Sequence, residues 1–365
     1  MKIAHLTSAH PRGDIRIFHK ECKSLAQAGH QVFLVVADGM GSQRSGDIQI
    51  EDVGRSSGRI NRVLATTTRV AERALALEVE AVHLHDPELL LVARRLKAAG
   101  KKVVFDAHED LPKQLLGKHY LHPLASTTLA GAAKVYERFI CSRLDGIITA
   151  TPAISQKFQL INRRTVTVNN FPLAGELQPS DPDHKFLPEV AYIGAIASIR
   201  GIRELIAAMS LTKSGARLNL VGEFAEFGLK EQLETQPGWE RVNFLGQLSR
   251  EGVRSVLARS QAGLVTFLPV PNHVDAQPNK MFEYMSACVP VIASDFPLWR
   301  DIVEGNSCGL CVDPSDPKAI ADAIDTLVMD HNRVRAMGRR GLDAVESAYN
   351  WRNEERKLLD FYSSL

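Results

Sequence analysis

A chain of 365 residues is longer than one ordinary hydrophobic core supports, so two domains are expected. Its 45% hydrophobic and 24% charged residues are those of a globular protein, and 6% aromatics with a net charge of +2 exclude the dense basic, aromatic-rich surface of a nucleic-acid binder. The charge is uneven: residues 1–170 hold 24 Lys/Arg against 16 Asp/Glu, a balance of +8, and residues 171–365 carry the compensating −6.

A basic N-terminal half suits an anionic membrane surface or a phosphorylated acceptor, and equally an ordinary surface with no partner. No run of 18 apolar residues occurs, so no membrane span is expected. The opening Met-Lys-Ile-Ala-His-Leu-Thr turns polar too early for a secretory signal, and five irregularly spaced cysteines form no disulfide framework. The expected location is the cytoplasm, with peripheral contact on the inner face of the membrane as a further expectation.

In chain order, a strand is predicted over 3–6, a helix over 15–28 closed by Gly29, and a strand over 32–37. Strands follow over 81–84, 103–105 and 146–149, with a helix over 89–99 ended by Gly100. Residues 171–188 contain four prolines and no periodicity, the signature of a linker. The strand–helix rhythm then restarts, with strands over 190–193, 218–221, 242–244, 264–267 and 289–293. Such alternation predicts two doubly wound parallel sheets of α/β class, with ligands at the carboxyl ends of the strands and a cleft between the domains. The domains are placed at 1–170 and 189–345, with 346–365 as a C-terminal helical tail.

The densest chemical signal is Asp275-Ala-Gln-Pro-Asn-Lys-Met-Phe-Glu283. Pro278 is expected at the first helical position, where its missing N–H costs nothing, leaving the N–H groups of Asn279 and Lys280 as an anion site. A carboxylate on each side of that site, Asp275 and Glu283, suits a phosphorylated sugar, whose hydroxyls need acceptors while its phosphates need donors. Separately, each acid is adequately explained as a solvated loop residue or a helix N-terminal acid.

Tyr192-Ile-Gly194-Ala-Ile-Ala-Ser-Ile-Arg200-Gly201 is a strand ending in glycine with a cation before the next helix, a diphosphate-side loop. His108 follows the strand over 103–105 at the sheet's ligand-binding edge. Glu109 and Asp110 beside it read either as acceptor contacts or as a helix N-terminal pair. The loop over 8–14 contains Gly13, where backbone can approach a ligand, and is no GxGxxG fingerprint. Asp86 before Pro87 reads as a helix cap or as an acceptor-side contact. Glu223 and Leu248 lie in loops after two strands of the second domain.

Other patterns carry no metal site. Cys308 and Cys311 lack a second ligand pair and are expected to flank a turn before an edge strand, and Asp181-Pro-Asp183 lies in the linker. The stretch from Lys113 to Arg143, with five basic residues and one acid among leucines and aromatics, reads as an interfacial helix or an ordinary amphipathic one.

The 275–283 segment with its following Pro-Val-Ile-Ala strand, the Gly194–Arg200 loop, His10-Pro-Arg-Gly-Asp and His108-Glu-Asp resemble the retaining, GT4-type glycosyltransferases of bacterial polysaccharide and lipopolysaccharide biosynthesis. The resemblance implies the GT-B fold, two Rossmann-like domains facing a central cleft, with the last helix crossing back onto the N-terminal domain. It implies transfer of a hexose from a nucleoside diphosphate sugar, UDP before GDP, to a glycan, lipid-linked or small-molecule acceptor, with no metal and no cofactor. By this resemblance Asp275 holds the donor sugar's hydroxyls, Glu283 the ribose, His108 the sugar near the reaction centre, and Arg200 the leaving diphosphate. Gly13, Gly194, Glu223, Leu248, Asn279 and Lys280 complete the donor site; Asp86, Glu109 and Asp110 face the acceptor. Two departures stand out: Ala195 where the family has arginine, and Asp275 where it has glutamate. The alternatives are a GT-B UDP-N-acetylglucosamine 2-epimerase and an idle homologue that binds nucleotide sugar without turnover.

Overall fold

The computed structural model describes residues 1–56, 58, 61–116, 123–178 and 186–365, in two compact units. Lys118, His119 and Tyr120 of the basic stretch, and Asp181 and Asp183 of the linker, lie outside the described residues. The first unit comprises Met1–Asn170 with Trp351–Leu365, and the second Phe171–Asn350.

The first unit is built on eight strands: β1 (Lys2–Leu6), β2 (Gln31–Val36), β3 (Gln43–Ser45), β4 (Ile48–Asp52), β5 (Ala81–Leu84), β6 (Lys102–Ala107), β7 (Gly146–Thr149) and β8 (Thr165–Thr167). Their order is β3-β4-β2-β1-β5-β6-β7-β8, parallel throughout except for the β3–β4 edge pair. That edge is missing from the sequence reading because β3 is three polar residues with no periodicity. Strand order reverses at β1, whose neighbours are β2 and β5. Loops leaving the carboxyl ends of β1 and β5 therefore diverge there and open a crevice, the usual ligand position in such sheets.

The helix expected over 15–28 divides into a π-helical stretch Ile15–Cys22 and an α-helical turn Lys23–Gln27. Asp14 starts it by accepting from the N–H groups of Arg16 and Ile17 at 2.9 Å each. The final helix, Trp351–Ser363, belongs to this unit: the Trp351 indole donates to Ser24 Oγ at 3.0 Å, and Glu354 accepts from the Asn169 N–H at 2.8 Å. A Cβ at Gly146 would meet the Phe361 ring at 2.5 Å, so glycine at the start of β7 lets this helix dock.

The second unit has six strands: β9 (Glu189–Ile193), β10 (Arg217–Val221), β11 (Val242–Gly246), β12 (Ala262–Val265), β13 (Val291–Ser294) and β14 (Gly309–Val312). The order β11-β10-β9-β12-β13-β14 is fully parallel and is the Rossmann order, with its switch point between β9 and β12. Val190, Leu264 and Ile292 on one side, and Ala191, Val265 and Val291 on the other, feed two buried layers, which explains the unbroken apolar runs. Two predicted strands shift, 264–267 by two residues to Ala262–Val265 and 289–293 to Val291–Ser294, because neighbouring apolar loop residues extend the pattern. Cys311 lies within β14, not beside a turn; Cys308 precedes the strand, and both are thiols.

Candidate functional site

In the second unit the site grows from the β9–β12 switch point. Gly194 leaves β9 with φ of 119°, and Gly222 leaves β10 with φ of 140°. A Cβ on Gly222 would lie 2.0 Å from the Gly194 carbonyl oxygen, so the two loops meet backbone to backbone. Ser198–Arg200 forms a single 3-10 turn, and Gly201, at φ of 69°, sits against the Thr266 carbonyl where a Cβ would stand 1.9 Å away. This turn aims Arg200 back across the loop: its guanidinium donates to the Ala195 carbonyl at 3.2 Å and lies 5.2 Å from the Phe267 ring centroid.

Lys280 joins it from the helix Asn279–Ser286. Pro278 precedes that helix, with ψ of 126°, instead of opening it; its extended backbone serves as the cap position, so Asn279 and Lys280 are the first two helical residues. The Lys280 ammonium is buried, 3.5 Å from the Tyr192 ring centroid and 5.3 Å from that of Phe267, with no hydrogen-bond partner among the described residues. A Cβ on Gly194 would touch it at 3.4 Å. Burial, and then repulsion from Arg200, push its pKa well below the usual lysine range, opposed by the Glu283 carboxylate. Two cations facing a bare glycine loop are arranged for an anion of at least two charges.

Glu283 is held by Arg250 at 2.8 Å, and Arg250 forks onto Glu176 at 2.8 and 2.9 Å. Neither Arg250 nor Glu176 figures in the sequence reading; Arg250 carries no motif signal, being one of many arginines at a helix start. Asp275 and Asn279 are exposed, Asp275 in the loop that the Trp299 indole pins at Ala276 O, 2.7 Å. Glu223 contributes its backbone carbonyl to the Ile196 N–H at 2.8 Å, and Leu248 packs against the apolar core after β11.

In the first unit, the crevice between the β1 and β5 loops is lined by polar groups. Asp86 does not cap the following turn through its side chain; it accepts from Thr7 Oγ1 at 2.8 Å and the Ser8 N–H at 2.6 Å, bracing the β1 loop. The cap reading fails because the carboxylate is engaged by these donors from the loop after β1 and makes no hydrogen bond to the turn. His10 bridges Asp14 at 3.3 Å and Asp86 at 3.4 Å, and these acids raise its pKa. Gly13 has open space around its Cβ position.

His108 sits past β6 with Nε2 2.7 Å from Asp106 Oδ2. Burial opposes charge on Asp106, yet Arg16, forked onto it at 2.8 and 2.7 Å, holds it ionised and well below the usual carboxylate range. Glu109 pairs with Gln114, whereas Asp110 accepts from Lys157 at 3.0 Å and from the Lys113 N–H at 3.4 Å, starting the short helix Leu111–Leu116. Asp110 thus fills the helix-terminal role, and His10, Asp86 and His108 gather at the crevice. Beside it a pocket of about 300 Å³ is lined by Ser8, Ala37, Arg55, Ser56 and Thr66. Arg55 and Ser56 come from an irregular segment that sequence patterning passes over.

Two family profiles match the chain: Glycosyltransferase Family 4 over residues 16–171, and Glycosyl transferases group 1 over 187–330. The chain belongs to the GT4-type glycosyltransferases of GT-B fold. It is 26% identical over 179 residues to the capsular polysaccharide biosynthesis glycosyltransferase CapM of Staphylococcus aureus, covering 46% of this chain and 44% of CapM. It is 37% identical over 79 residues to a GDP-mannose-dependent α-(1-6)-phosphatidylinositol monomannoside mannosyltransferase of Mycobacterium tuberculosis, 22% of this chain and 20% of that one. The chain spans less than half the length of the curated relatives it matches. Among solved structures, sucrose-phosphate synthase from Thermosynechococcus elongatus superposes with a TM-score of 0.80 at 18% identity, covering 100% and 98% of the chains. Anabaena HepE, solved with UDP-glucose, superposes with a TM-score of 0.76 at 17% identity over the whole of both.

Proposed function

We propose that this GT4-type protein is a retaining hexosyltransferase that moves a sugar from a nucleoside diphosphate donor to an acceptor hydroxyl in cell-surface glycan assembly. The observation that carries the reading is Lys280: a buried ammonium, without a hydrogen-bond partner among the described residues, beside Arg200 and the open backbone of Gly194. A buried charge without a counter-ion is costly, and a diphosphate would supply the missing one. Arg200 and Lys280 would then offset the charge that grows on the leaving diphosphate, with no metal called on for that task. Glu283, steadied by Arg250, would accept from the ribose hydroxyls, and Asp275 from the sugar. His108, oriented by Asp106, would stabilise charge near the anomeric carbon, and departure of the phosphate would help deprotonate the acceptor on the same face.

UDP is favoured as the donor nucleotide by the HepE complex with UDP-glucose, and GDP stands next through the mannosyltransferase relative. The matching families are transferases, which disfavours an epimerase. The acceptor side is assigned to Asp86 and Glu109 in the first unit, where the adjoining pocket offers Arg55 and Ser56.

The test is thermal unfolding against UDP, GDP, dTDP and ADP, free and as sugar conjugates. A ligand that binds only the native state raises the midpoint with concentration. A shift confined to one nucleotide, larger for one sugar, supports the reading and names the donor; no shift with any of them overturns it. Nucleotide binding with no turnover over a broad acceptor panel would favour the idle homologue.

A further inference from the structure

The first unit contains a second cluster, sealed from solvent, that the transfer reaction does not use. His5 on β1 and His83 on β5 are register partners, and His85 follows two positions later, so all three imidazoles leave the same face of the sheet. Glu21 descends onto them from the π-helical stretch, and all four side chains have no exposed surface. A helix of ordinary pitch would turn residue 21 away from Arg16; the π-helical widening brings positions five apart together. The Arg16 Nε–Glu21 Oε1 distance is 3.1 Å.

Among the described residues neither oxygen of Glu21 accepts a hydrogen bond, and Oε2 lies 3.9 Å from His5 Nδ1, 3.8 Å from His83 Nδ1 and 3.9 Å from His85 Nε2. His5 Nδ1 and His85 Nε2 are 2.9 Å apart, and all four ligand atoms fall within 4.8 Å of one another. Donors about 2.0–2.1 Å from a tetrahedral zinc stand roughly 3.3 Å apart, midway in the observed spread. The surroundings are those of a metal's outer shell. His85 Nδ1 is 3.2 Å from Asp106, the carboxylate–histidine pairing that turns the far nitrogen toward an ion. Arg16, whose hydrogens go to Asp106 and the Val168 carbonyl, lies beside the other oxygen of Glu21 as an ion pair only, and Oε2 is the oxygen nearest the three imidazoles.

We propose that His5, Glu21, His83 and His85 form an enclosed structural site for a divalent transition ion of the zinc class. Three imidazoles and a carboxylate with no open position match a structural and not a catalytic zinc centre. Loading replaces two contacts: the His5–His85 hydrogen bond, and the 2.9 Å contact of the Tyr362 hydroxyl with His83 Nδ1. Because the site is sealed, the ion enters as the chain folds. The proposal is independent of the donor chemistry in the second unit.

The full-length protein is unfolded in guanidinium with a chelator, desalted, and refolded with zinc, with cobalt(II), or with chelator. Metal content by plasma mass spectrometry, the visible absorption of the cobalt form, and the unfolding midpoint are then read. One ion per chain, a tetrahedral cobalt spectrum and a higher midpoint with zinc are expected, and a His83→Gln variant that folds by circular dichroism should lose the ion. A chelator-refolded chain with an unchanged midpoint and no uptake of zinc or cobalt overturns the site. So does a His83→Gln or Glu21→Gln chain that keeps the same stoichiometry and spectrum.

Discussion

The ammonium of Lys280 stands 3.5 Å above the ring of Tyr192, with the quadrupole of that ring in place of a hydrogen bond. An aromatic face offsets only part of the cost of burying a cation. Stability and binding should therefore pull in opposite directions here. Lys280→Met is expected to raise the unfolding midpoint of the free protein while weakening nucleotide diphosphate binding at least tenfold by calorimetry.

The same lysine sets a pH dependence. Its folded pKa lies well below the unfolded value, so the free protein is relieved of the buried charge, and gains stability, as pH rises through the folded pKa toward the unfolded one. A bound diphosphate favours the charged form, so affinity should fall over that rise in pH, with proton uptake on binding. Wild type should show this slope by calorimetry in buffers of different ionisation enthalpy, and Lys280→Met should not.

Glu283, proposed to accept from the ribose, pairs with Arg250 at 2.8 Å. Glu283→Gln should weaken nucleotide binding by about 1.5–3 kcal/mol, the range for hydrogen bonds to a charged group, with a smaller loss in Tm. Asp275→Asn should reduce affinity for the sugar nucleotide more than for the free nucleotide. Equal losses for both ligands would remove Asp275 from the sugar contact.

Arg200 is poised by Gly201, whose left-handed backbone and contact with Thr266 O leave no room for a side chain. Gly201→Ala should destabilise the protein by at least about 1–3 kcal/mol, from strain with the clash added, and depress donor binding by shifting the turn. Arg200→Ala should lower kcat more than it raises KM. Unchanged turnover would exclude Arg200 from charge stabilisation.

On the helix Pro123–Cys141, Val135, Tyr136 and Phe139 are exposed, with Arg94 and Arg143 flanking the Phe139 ring. Among the described residues no helix is long and apolar enough to cross a membrane. Co-sedimentation with anionic vesicles is expected for the native chain and should be lost in a Val135→Glu, Phe139→Glu double variant. Equal sedimentation of the two would reject membrane docking through this face.

Much of the architecture was legible because local rules and the fold agree. Apolar runs of four or five residues, each followed by a helix period, can hardly be buried except as a parallel sheet covered on both faces. The Gly194–Arg200 loop and the Pro278–Glu283 helix start were readable for a related reason: glycine, a cation and a helix N-terminus act over a few neighbouring residues. Which of them meet was not readable. Lys280 approaches Gly194 across 86 positions, only because β9 and β12 are neighbours at the switch point. Glu283 finds Arg250, and Asp86 abandons its local turn for Thr7 and Ser8, through contacts decided by strand order.

Sequence by itself determined the two-unit α/β class and the glycine-and-cation character of its loops, since periodicity and backbone-permissive residues act through near neighbours. The tertiary structure alone decided that four buried side chains, His5, Glu21, His83 and His85, share one point in space. Three leave two adjacent strands in register and one leaves a widened helical turn. Burial makes their company energetically consequential, and no spacing along the chain encodes it.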